Sequence, residues 1–417
     1  MAFLHILRVN NFFEVDMRIH RVKAGEGISD IAKEYGVCEA ILRKSNEIHE
    51  GDRLSEGEEL LVLIPTRTYT AGANDSLSRV AIRFDVPRGE LMRMNPHLVS
   101  DEIGAGEVIA VKRDARPCGM GAANGVYYRG CPRWKLMRAL PYTTYLTVGS
   151  GVFDGERCYE GFDGGEAVEI ALEHGKLPLV RVYDKSDGGF SKTAERRRDF
   201  IDQVIYTALK GGYRGIDLGG CKFGEGYEEF LVELRGRMIG LDLILISEIS
   251  ADSPCYASDF SDGAILGIDR IGDPLAEEMS FTEYEKGAME KFANRCEGTK
   301  TFMEIPMFGC TDRGEFIDVA EAIAAARKQG ALTEIDESKM ILSFADKKRG
   351  RIVYNSLSGI VERFKLLGEL GYMGVSFDIG RCPISYLLAY DSLFKSVGYA
   401  NVEKRVRCNP DSSEINI

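Results

Sequence analysis

The last two thirds of the chain alternate strand-like and helix-like segments, and no other feature constrains the fold as strongly. Eight short apolar runs are separated in most cases by longer segments with helical periodicity. Such alternation is typical of an α/β protein, and eight strands over about 280 residues fit a closed (β/α)8 TIM barrel. The predicted strands are 125–128, 142–148, 179–183, 215–219, 241–247, 263–268, 301–306 and 373–377.

The helices and one hairpin complete the prediction for this part of the chain. A charged turn at 346–350 lies at the centre of 343–354 and predicts a hairpin inserted late in the barrel. The predicted helices are 164–173, 193–210, 227–238, 282–295, 315–328, 357–370 and 384–395.

An internal repeat occupies the first quarter of the chain. Residues 68–111 repeat residues 19–65 at an offset of 49 positions, so that Ile28 aligns with Leu77. Each copy predicts a strand, two helices and a closing strand, the first helix with apolar residues at i, i+3, i+4 and i+7. The predicted divisions are an arm (1–18), two βααβ modules (19–65 and 66–112), a glycine-bearing linker (113–123), the barrel (124–400) and a tail (401–417).

The repeat resembles the LysM module, on the strength of IAKEYGV at 31–37 and an asparagine that closes each second helix. The resemblance implies binding to the N-acetylglucosamine backbone of peptidoglycan or chitin, in a groove between two loops of each module. The groove residues that it implies are Glu26, Gly27, Ile28, Asn46, Asp75, Ser76, Leu77 and Asn95. A structural alternative stays open, in which Asp75 and Ser76 cap a helix and the two asparagines close one.

The predicted fourth barrel strand lies in GYRGIDLGGC at 212–221. Asp217, Gly219 and Cys221 alternate with apolar residues and are expected to face inward at the carboxyl end, where active sites of such barrels lie. The stretch resembles the signature of family 18 glycoside hydrolases, D-G-hydrophobic-D-hydrophobic-D-hydrophobic-E. Residues 215–218 match that signature, whereas Arg214, Gly219 and Cys221 replace its Asp, Asp and Glu.

Further segments extend the resemblance through the second domain. LPYTTYLT (140–147), GGF (188–190), IPMFG (305–309) and GVSFDIG (374–380) are similar to strand-end motifs of that family. The order of LysM modules followed by this barrel is similar to spore cortex-lytic and spore-coat glycosidases. The resemblance implies a binding protein for peptidoglycan or another N-acetylglucosamine polymer, with a barrel that has lost its chemistry.

The replaced residues carry the chemistry in that family, whose hydrolysis is assisted by the N-acetyl group of the substrate. The Glu protonates the leaving oxygen and the Asp orients the N-acetyl group. Cys221 is a poor substitute because a thiol is a weak donor with a pKa of about 8.5. Gly219 cannot hold the amide, and Asp378 replaces the family's tryptophan floor. We therefore expect no retained catalytic residue.

Two other hypotheses remain: an active glycosidase with a displaced acid, Glu225 or Glu304, and a structural spore-coat component. The expected barrel pocket contains Tyr142, Asp217, Glu248, Asp269, Glu304, Phe308 and Asp378. Its carboxylates could form a divalent-cation cage or a new acid–base pair. Ion pairs with Arg214, Arg270 and Arg381 are the favoured alternative, so neither a metal nor a cofactor is expected.

Composition limits the possible binding partners and the cellular compartment of the protein. The net charge of −12 argues against nucleic acid, and no apolar run approaches the roughly 20 residues of a membrane span. The ten cysteines are scattered, which favours reduced thiols. The start shows no secretory signal, and Met17 is an alternative first residue. We expect synthesis in the cytoplasm, deposition in a spore envelope or cell wall, and other spore-envelope proteins as further partners.

Overall fold

The computed structural model describes residues 17–115, 117, 119–222, 224–249, 259–267, 283–294 and 300–396. Asp269 and Arg270, most of the predicted arm and the predicted tail lie outside these residues.

Both repeats fold as βααβ modules in which the first and last strands pair antiparallel. The first helix of module 1 ends at Gly36 with φ 66°, in the left-handed region that suits glycine. The equivalent helix of module 2 ends at Asp85 with φ 52°, so an aspartate takes the position of that glycine. The elements are Met17–Arg21, Ile28–Tyr35, Glu39–Ser45 and Glu59–Leu63, then Arg67–Thr70, Leu77–Phe84, Arg88–Met94 and Val108–Lys112.

Eight parallel strands close into a barrel, as the alternation predicts, because the eighth strand and the second both pair with the first. Tyr145, Leu179, Ile246, Ile265 and Phe302 fill its interior below the mouth. Barrel strands one to eight are Gly119–Tyr127, Tyr145–Phe153, Leu177–Asp184, Gly215–Gly220, Ile244–Ile249, Gly263–Leu266, Thr301–Glu304 and Gly374–Asp378.

Helices surround the strands, and the large apolar core lies between the two layers. Each predicted helix is present to within a few residues, and the short helix Arg133–Ala139 adds to them. The others are Gly165–Glu173, Ala194–Lys210, Tyr227–Met238, Glu283–Ala293, Val319–Gln329, Leu357–Glu369 and Ile384–Leu393. None of the described helices has the length and apolar character needed to cross a membrane.

A small antiparallel sheet is inserted between barrel strands seven and eight. The predicted hairpin is present as Ile341–Asp346 paired with Gly350–Asn355, but three further strands extend it to five. Helix Val319–Gln329, predicted as part of the barrel ring, packs on this sheet instead. The three further strands are Phe308–Thr311, Phe316–Asp318 and Glu334–Asp336.

The first barrel strand begins at Gly119, inside the segment 113–123 that was predicted to be a linker. Glycine there permits close packing rather than flexibility, because a Cβ on Gly121 would lie 2.2 Å from the Tyr390 hydroxyl. Composition alone cannot separate these two uses of glycine.

Module 1 packs against the helix of the inserted domain, and module 2 packs against the barrel. The Arg327 guanidinium donates to Glu58 of module 1 (Nε–Oε1 2.8 Å) and to the backbone carbonyl oxygen of Glu47 (2.9 Å). Arg327 and Glu58 are each less than 10% exposed. Arg93 and Arg113, from module 2 and its end, both pair with Asp391 of the last barrel helix, at 3.0 and 2.7 Å. These contacts hold module 1 against the inserted domain and module 2 against the last barrel helix.

Candidate sites in the barrel mouth and the LysM loops

Asp217, on barrel strand four, lies inside the barrel and is fully buried. Two nitrogens of Arg181 donate to its Oδ2, from 3.1 and 3.0 Å, and the Gly219 N–H donates to its Oδ1 from 2.8 Å. The Thr147 hydroxyl lies 3.2 Å from Oδ2. Each carboxylate oxygen therefore has partners within the protein, as a buried charge requires.

Arg181 is the residue that sequence reasoning missed, since it lies on barrel strand three and 36 positions before Asp217. Burial would lower the pKa of its guanidinium, but Asp217, followed by Tyr128 and Glu248, holds that pKa well above its ordinary value. Arg181 stays charged and compensates the buried charge of Asp217. The expected partner Arg381 does pair with Asp378 (3.5 Å).

The space beside Gly219, where the family has an aspartate, is occupied. A Cβ at this position would lie 2.5 Å from Glu248 Oε2 and 2.9 Å from Arg181 Cζ. Glu248 Oε2 in turn lies 3.8 Å from Arg181 Nη1. The side chains of two neighbouring strands therefore fill the position from which that aspartate would hold an N-acetyl group.

Cys221 does not share the inward face of Asp217, contrary to the expected alternation. Strand four carries one extra residue after Asp217, because Asp217 pairs with Arg181 whereas Gly220 pairs with Tyr183. Such a bulge reverses the alternation beyond it. The Cys221 thiol donates to the Val182 carbonyl (3.6 Å), and its side chain packs against the core between strands and helices.

A cavity of about 650 Å³ opens at the carboxyl end of the barrel. Glu248, Glu304, Phe308 and Asp378, all expected in the pocket, contribute to its wall. A Cβ on Gly267 would lie 3.5 Å from both Glu248 Oε1 and Glu304 Oε2. Carboxylates from strands five and seven therefore lie on either side of Gly267, at the end of strand six.

Asp378 lies at the end of barrel strand eight, next to strand seven, and also lines this mouth. Burial raises the pKa of its carboxyl, although a hydrogen bond from the Gly380 N–H (2.7 Å) and the charge of Arg381 oppose the shift. Arg381 also pairs with Asp318 of the inserted sheet (3.3 Å), so it connects the mouth to that sheet. The described residues contain no group of three or more His, Cys, Asp or Glu placed to hold a metal ion.

Two residues expected at the mouth lie elsewhere. Tyr142 belongs to the 3-10 turn Leu140–Tyr142, before strand two begins at Tyr145. Its hydroxyl donates to the Arg93 carbonyl (2.6 Å), so it joins the barrel to module 2 rather than lining the pocket. Glu225, a candidate displaced acid, is exposed on a loop, and its backbone carbonyl accepts from Ser191.

The first loop of each LysM module is organised around an acid. Glu26 bonds the His20 ring (2.8 Å) and accepts from the Lys23 N–H (2.9 Å). Burial would raise the pKa of Glu26, but these hydrogen bonds hold it below its ordinary value. Asp75 accepts likewise from the Tyr69 hydroxyl, which lowers its pKa, and from the Gly72 N–H. Both acids stay charged at the groove.

The asparagines have a structural role at the other side of the groove. The Asn95 amide donates to the carbonyls of Leu91 and Ala110 and accepts from the Ala110 N–H, and Asn46 bonds Leu42 and Leu61 in the same way. Both are buried, so their side chains tie the second helix to the closing strand.

The other predicted groove residues build or cap the first helix. Ser76 caps its helix by accepting from the Arg79 N–H (3.3 Å), and the Gly27 N–H donates to Asp30 (3.0 Å). Ile28 and Leu77 are core residues. Among the eight predicted groove residues, Glu26 and Asp75 are therefore the two that carry a charge.

The comparisons with known proteins agree with this architecture. Residues 20–62 and 69–112 match the LysM domain family. The molecule is a tandem of LysM domains followed by a barrel with the fold of family 18 glycoside hydrolases. It superposes on the spore cortex-lytic enzyme SleL of Bacillus cereus with a TM-score of 0.69 and 18% identity, covering 92% of this chain and 99% of that one. The Bacillus megaterium SleL gives a TM-score of 0.70, also at 18% identity and over the same shares of both chains.

Two further relatives cover less of the chain. A chitinase from Chromobacterium violaceum matches 65% of this chain and 98% of its own, with a TM-score of 0.57 and 13% identity. The putative sporulation-specific glycosylase YdhD of Bacillus subtilis is 21% identical over 226 residues, 48% of this chain and 50% of that relative. The chain thus matches half the length of this curated relative. At these identities the solved structures establish the fold alone.

Proposed function

We propose that the protein binds peptidoglycan or a similar N-acetylglucosamine polymer through its LysM domains, and that its barrel does not hydrolyse the polymer by the family 18 mechanism. LysM domains bind such polymers, and two of them precede the barrel. One observation carries the second half of the proposal: Glu248 and Arg181 fill the space beside Gly219. The barrel would then serve as a scaffold or an additional glycan-binding surface.

The geometry of strand four supports the loss of catalysis. A general acid must reach the glycosidic oxygen, and such help is worth about 10²–10⁴-fold in rate. Residue 221, which holds the acid in the family signature, packs away from the cavity after the bulge. The orienting position is Gly219, and the floor position is the charged Asp378. All three parts of the family mechanism have changed together.

We further propose a place in the spore envelope. Three of the matched relatives are named for spore cortex lysis or for sporulation. A LysM tandem would retain the protein on the peptidoglycan of that envelope, where other envelope proteins could contact it.

The test is to incubate the full-length protein with purified spore cortex peptidoglycan and to analyse the pellet and the released sugars. We expect the protein in the pellet, displacement by soluble N-acetylglucosamine oligomers, and no release of reducing ends above the protein-free control. Protein that stays in the supernatant would contradict the binding proposal. Release of sugars would contradict the loss of catalysis.

The carboxylate pair beside Gly267 supports a second candidate, a glycosidase with a displaced acid. Glu248 and Glu304 both border Gly267 at the mouth, and glycosidases use a pair of carboxylates. If the protein releases sugars, Glu304→Gln should abolish that release. Glu225→Gln is the matched control, because Glu225 lies on an exposed loop. Activity that survives Glu304→Gln would exclude this candidate.

A further inference from the structure

A second cavity lies in a cleft between module 1 and the inserted domain, and it shares no lining residue with the cavity at the barrel mouth. Its volume is about 730 Å³, and sites for small ligands measure about 300–1,000 Å³. One wall is the second loop of module 1, with Asp52 and Arg53, and the other is helix Val319–Gln329. The cleft therefore exists because module 1 docks on the inserted domain.

One face of that helix lines the cleft. Ala320, Ile323, Ala324 and Lys328 all contribute to the lining, and they recur at i, i+3, i+4 and i+8. The alanines leave room beside the helix and offer apolar contact, while Lys328 adds a positive charge close to the end of the helix. A ligand with small apolar side chains and a negative charge suits this face.

Three carboxylates that line the cleft already have cationic partners within the protein. The ion pairs are Glu47 with Arg138, Glu58 with Arg327, and Glu59 with Arg21. These charges hold module 1 in place and compensate one another, so they contribute little net charge to the open space of the cleft.

Two cations of the cleft, by contrast, have no carboxylate partner within the described part of the chain. Arg53 is exposed on the loop of module 1, and Lys328 is exposed on the opposite wall. Asp52, the remaining carboxylate of the lining, accepts a hydrogen bond from the His49 N–H (2.8 Å). Once the ion pairs are set aside, two cations and one carboxylate therefore face the ligand space.

The cleft borders the predicted sugar groove of module 1. Asn46, one of the predicted groove residues, also lines the cleft. The loop that begins there runs over residues 46–58, from the second helix to the closing strand, and it forms one side of both the groove and the cleft. A substituent on a glycan strand in the groove therefore needs only to cross this loop to enter the cleft.

We propose that the cleft binds the peptide of peptidoglycan, with peptide carboxylates at Arg53 and Lys328 and small side chains against Ala320 and Ala324. Peptidoglycan differs from chitin in the short alanine-containing peptides, with free carboxylates, that its glycan strand carries. Guanidinium and ammonium groups are the usual partners of carboxylates in proteins. This inference rests on the proposed glycan binding by the LysM domains, and it selects peptidoglycan among the N-acetylglucosamine polymers.

The experiment compares the affinity of the full-length protein for two fluorescent glycan oligomers of equal length, prepared from peptidoglycan. One oligomer keeps its peptides, and an amidase has removed the peptides from the other. We expect the peptide-bearing oligomer to bind roughly five- to tenfold more tightly at low ionic strength, since one exposed ion pair contributes at most about fivefold. The double variant Arg53→Gln with Lys328→Gln should bind both oligomers with equal affinity.

A matched double variant, Lys33→Gln with Lys348→Gln, is the control. Both lysines are exposed, one on module 1 and one on the inserted sheet, and neither lines the cleft. This variant should keep the preference of the wild type. A carbodiimide, which joins a carboxylate to a neighbouring amine through an amide bond, locates the peptide: mass spectrometry should find it on Lys328 and not on Lys348.

The outcomes separate this inference from the proposed function. Equal or weaker binding of the peptide-bearing oligomer, or a preference that survives in the Arg53 and Lys328 variant, overturns the inference and leaves the proposed glycan binding in place. Binding of the peptide-bearing oligomer alone, lost in that variant, upholds the inference and overturns the assignment of binding to the glycan backbone. Binding of neither oligomer overturns both.

Discussion

Single residues in the barrel mouth show how a vacated site is filled. Gly219 stands where the family signature has an aspartate, and Arg181 and Glu248 from the neighbouring strands occupy the space of that side chain. A buried carboxylate such as Asp217 would be strongly unfavourable alone, so Arg181 is required wherever Asp217 is kept. The chain keeps one aspartate of the family signature as Asp217, but here Asp217 forms a structural ion pair with Arg181.

The first prediction concerns Cys221→Glu, which restores the acid of the family signature. We expect no hydrolysis of cortex peptidoglycan, because residue 221 packs against the outer core beyond the bulge. Burial already raises the pKa of the Cys221 thiol well above its ordinary value, so a carboxylate there should cost about 1–3 kcal/mol of unfolding free energy. Thermal unfolding and reducing-end release measure the two effects.

Cys221→Gln is the control for that variant, because glutamine has the size of glutamate without its charge. Glu should be less stable than Gln at neutral pH, and the difference should shrink in acid as the carboxyl becomes protonated. Hydrolysis that appears with Glu and not with Gln would show that residue 221 reaches the cavity.

The sequence could predict which residues lie on strand four, because apolar and polar residues alternate there. The glycines at 219 and 220 are compatible with a bulge, but glycine in a strand also permits close packing, so the sequence could not decide that an extra residue enters the ladder here. It also could not identify Arg181 as the partner of Asp217, because that pairing depends on how two strands align in space.

At the scale of elements, periodicity predicts the number and order of the barrel strands and helices, although strand one begins at Gly119, six residues before its predicted start. Tyr227–Met238 has the predicted bounds. The larger departures occur where short antiparallel strands, such as Glu334–Asp336, have too few residues to show a period. The inserted sheet was therefore predicted only as its longest hairpin.

The second prediction concerns the loop of module 1 that meets this inserted domain. Gly57 has φ 82°, and a Cβ there would lie 1.9 Å from the Thr333 carbonyl oxygen. Gly57→Ala should therefore both strain the turn and displace module 1 from the barrel. We expect a loss of several kcal/mol of unfolding free energy, about 3 or more, with faster hydrogen exchange at residues 46–58.

Gly51→Ala is a matched control in the same loop. Gly51 has φ 87°, but a Cβ there would meet nothing within 4 Å. Gly51→Ala should therefore lose only the free energy of unfolding that the backbone strain costs, on the order of 1 kcal/mol. Equal losses for the two variants would mean that the contact with Thr333 does not hold the module in place.

At the scale of the whole molecule, glutamates at the same position of the two modules form ion pairs at two different interfaces. Glu58 of module 1 pairs with Arg327 next to the barrel, and Glu107, its equivalent 49 positions later, pairs with Lys44 of module 1. Each glutamate also accepts from a backbone N–H of its own turn. One feature of the repeat therefore organises two different interfaces, and both modules are held in a fixed position relative to the barrel mouth.

The last prediction concerns acid stability at the interface between the two modules. His97 lies 3.1 Å from Glu107 and near Lys44, and its side chain is 18% exposed. Burial, and then the charge of Lys44, lower the pKa of His97 from 6.5 to about 4, with Glu107 opposing the shift. The unfolded chain therefore binds a proton as pH falls below about 6.5, while folded His97 stays neutral until pH approaches about 4.

The free energy of unfolding should therefore be highest above pH 6.5 and should fall by about 3 kcal/mol between pH 6.5 and 4, at 1.36 kcal/mol for each pKa unit. Unfolding curves across this range should show a smaller dependence on pH in His97→Gln, whereas His49→Gln, on an exposed loop, should behave as the wild type does. An unchanged pH dependence in His97→Gln would mean that other groups control acid unfolding of the modules.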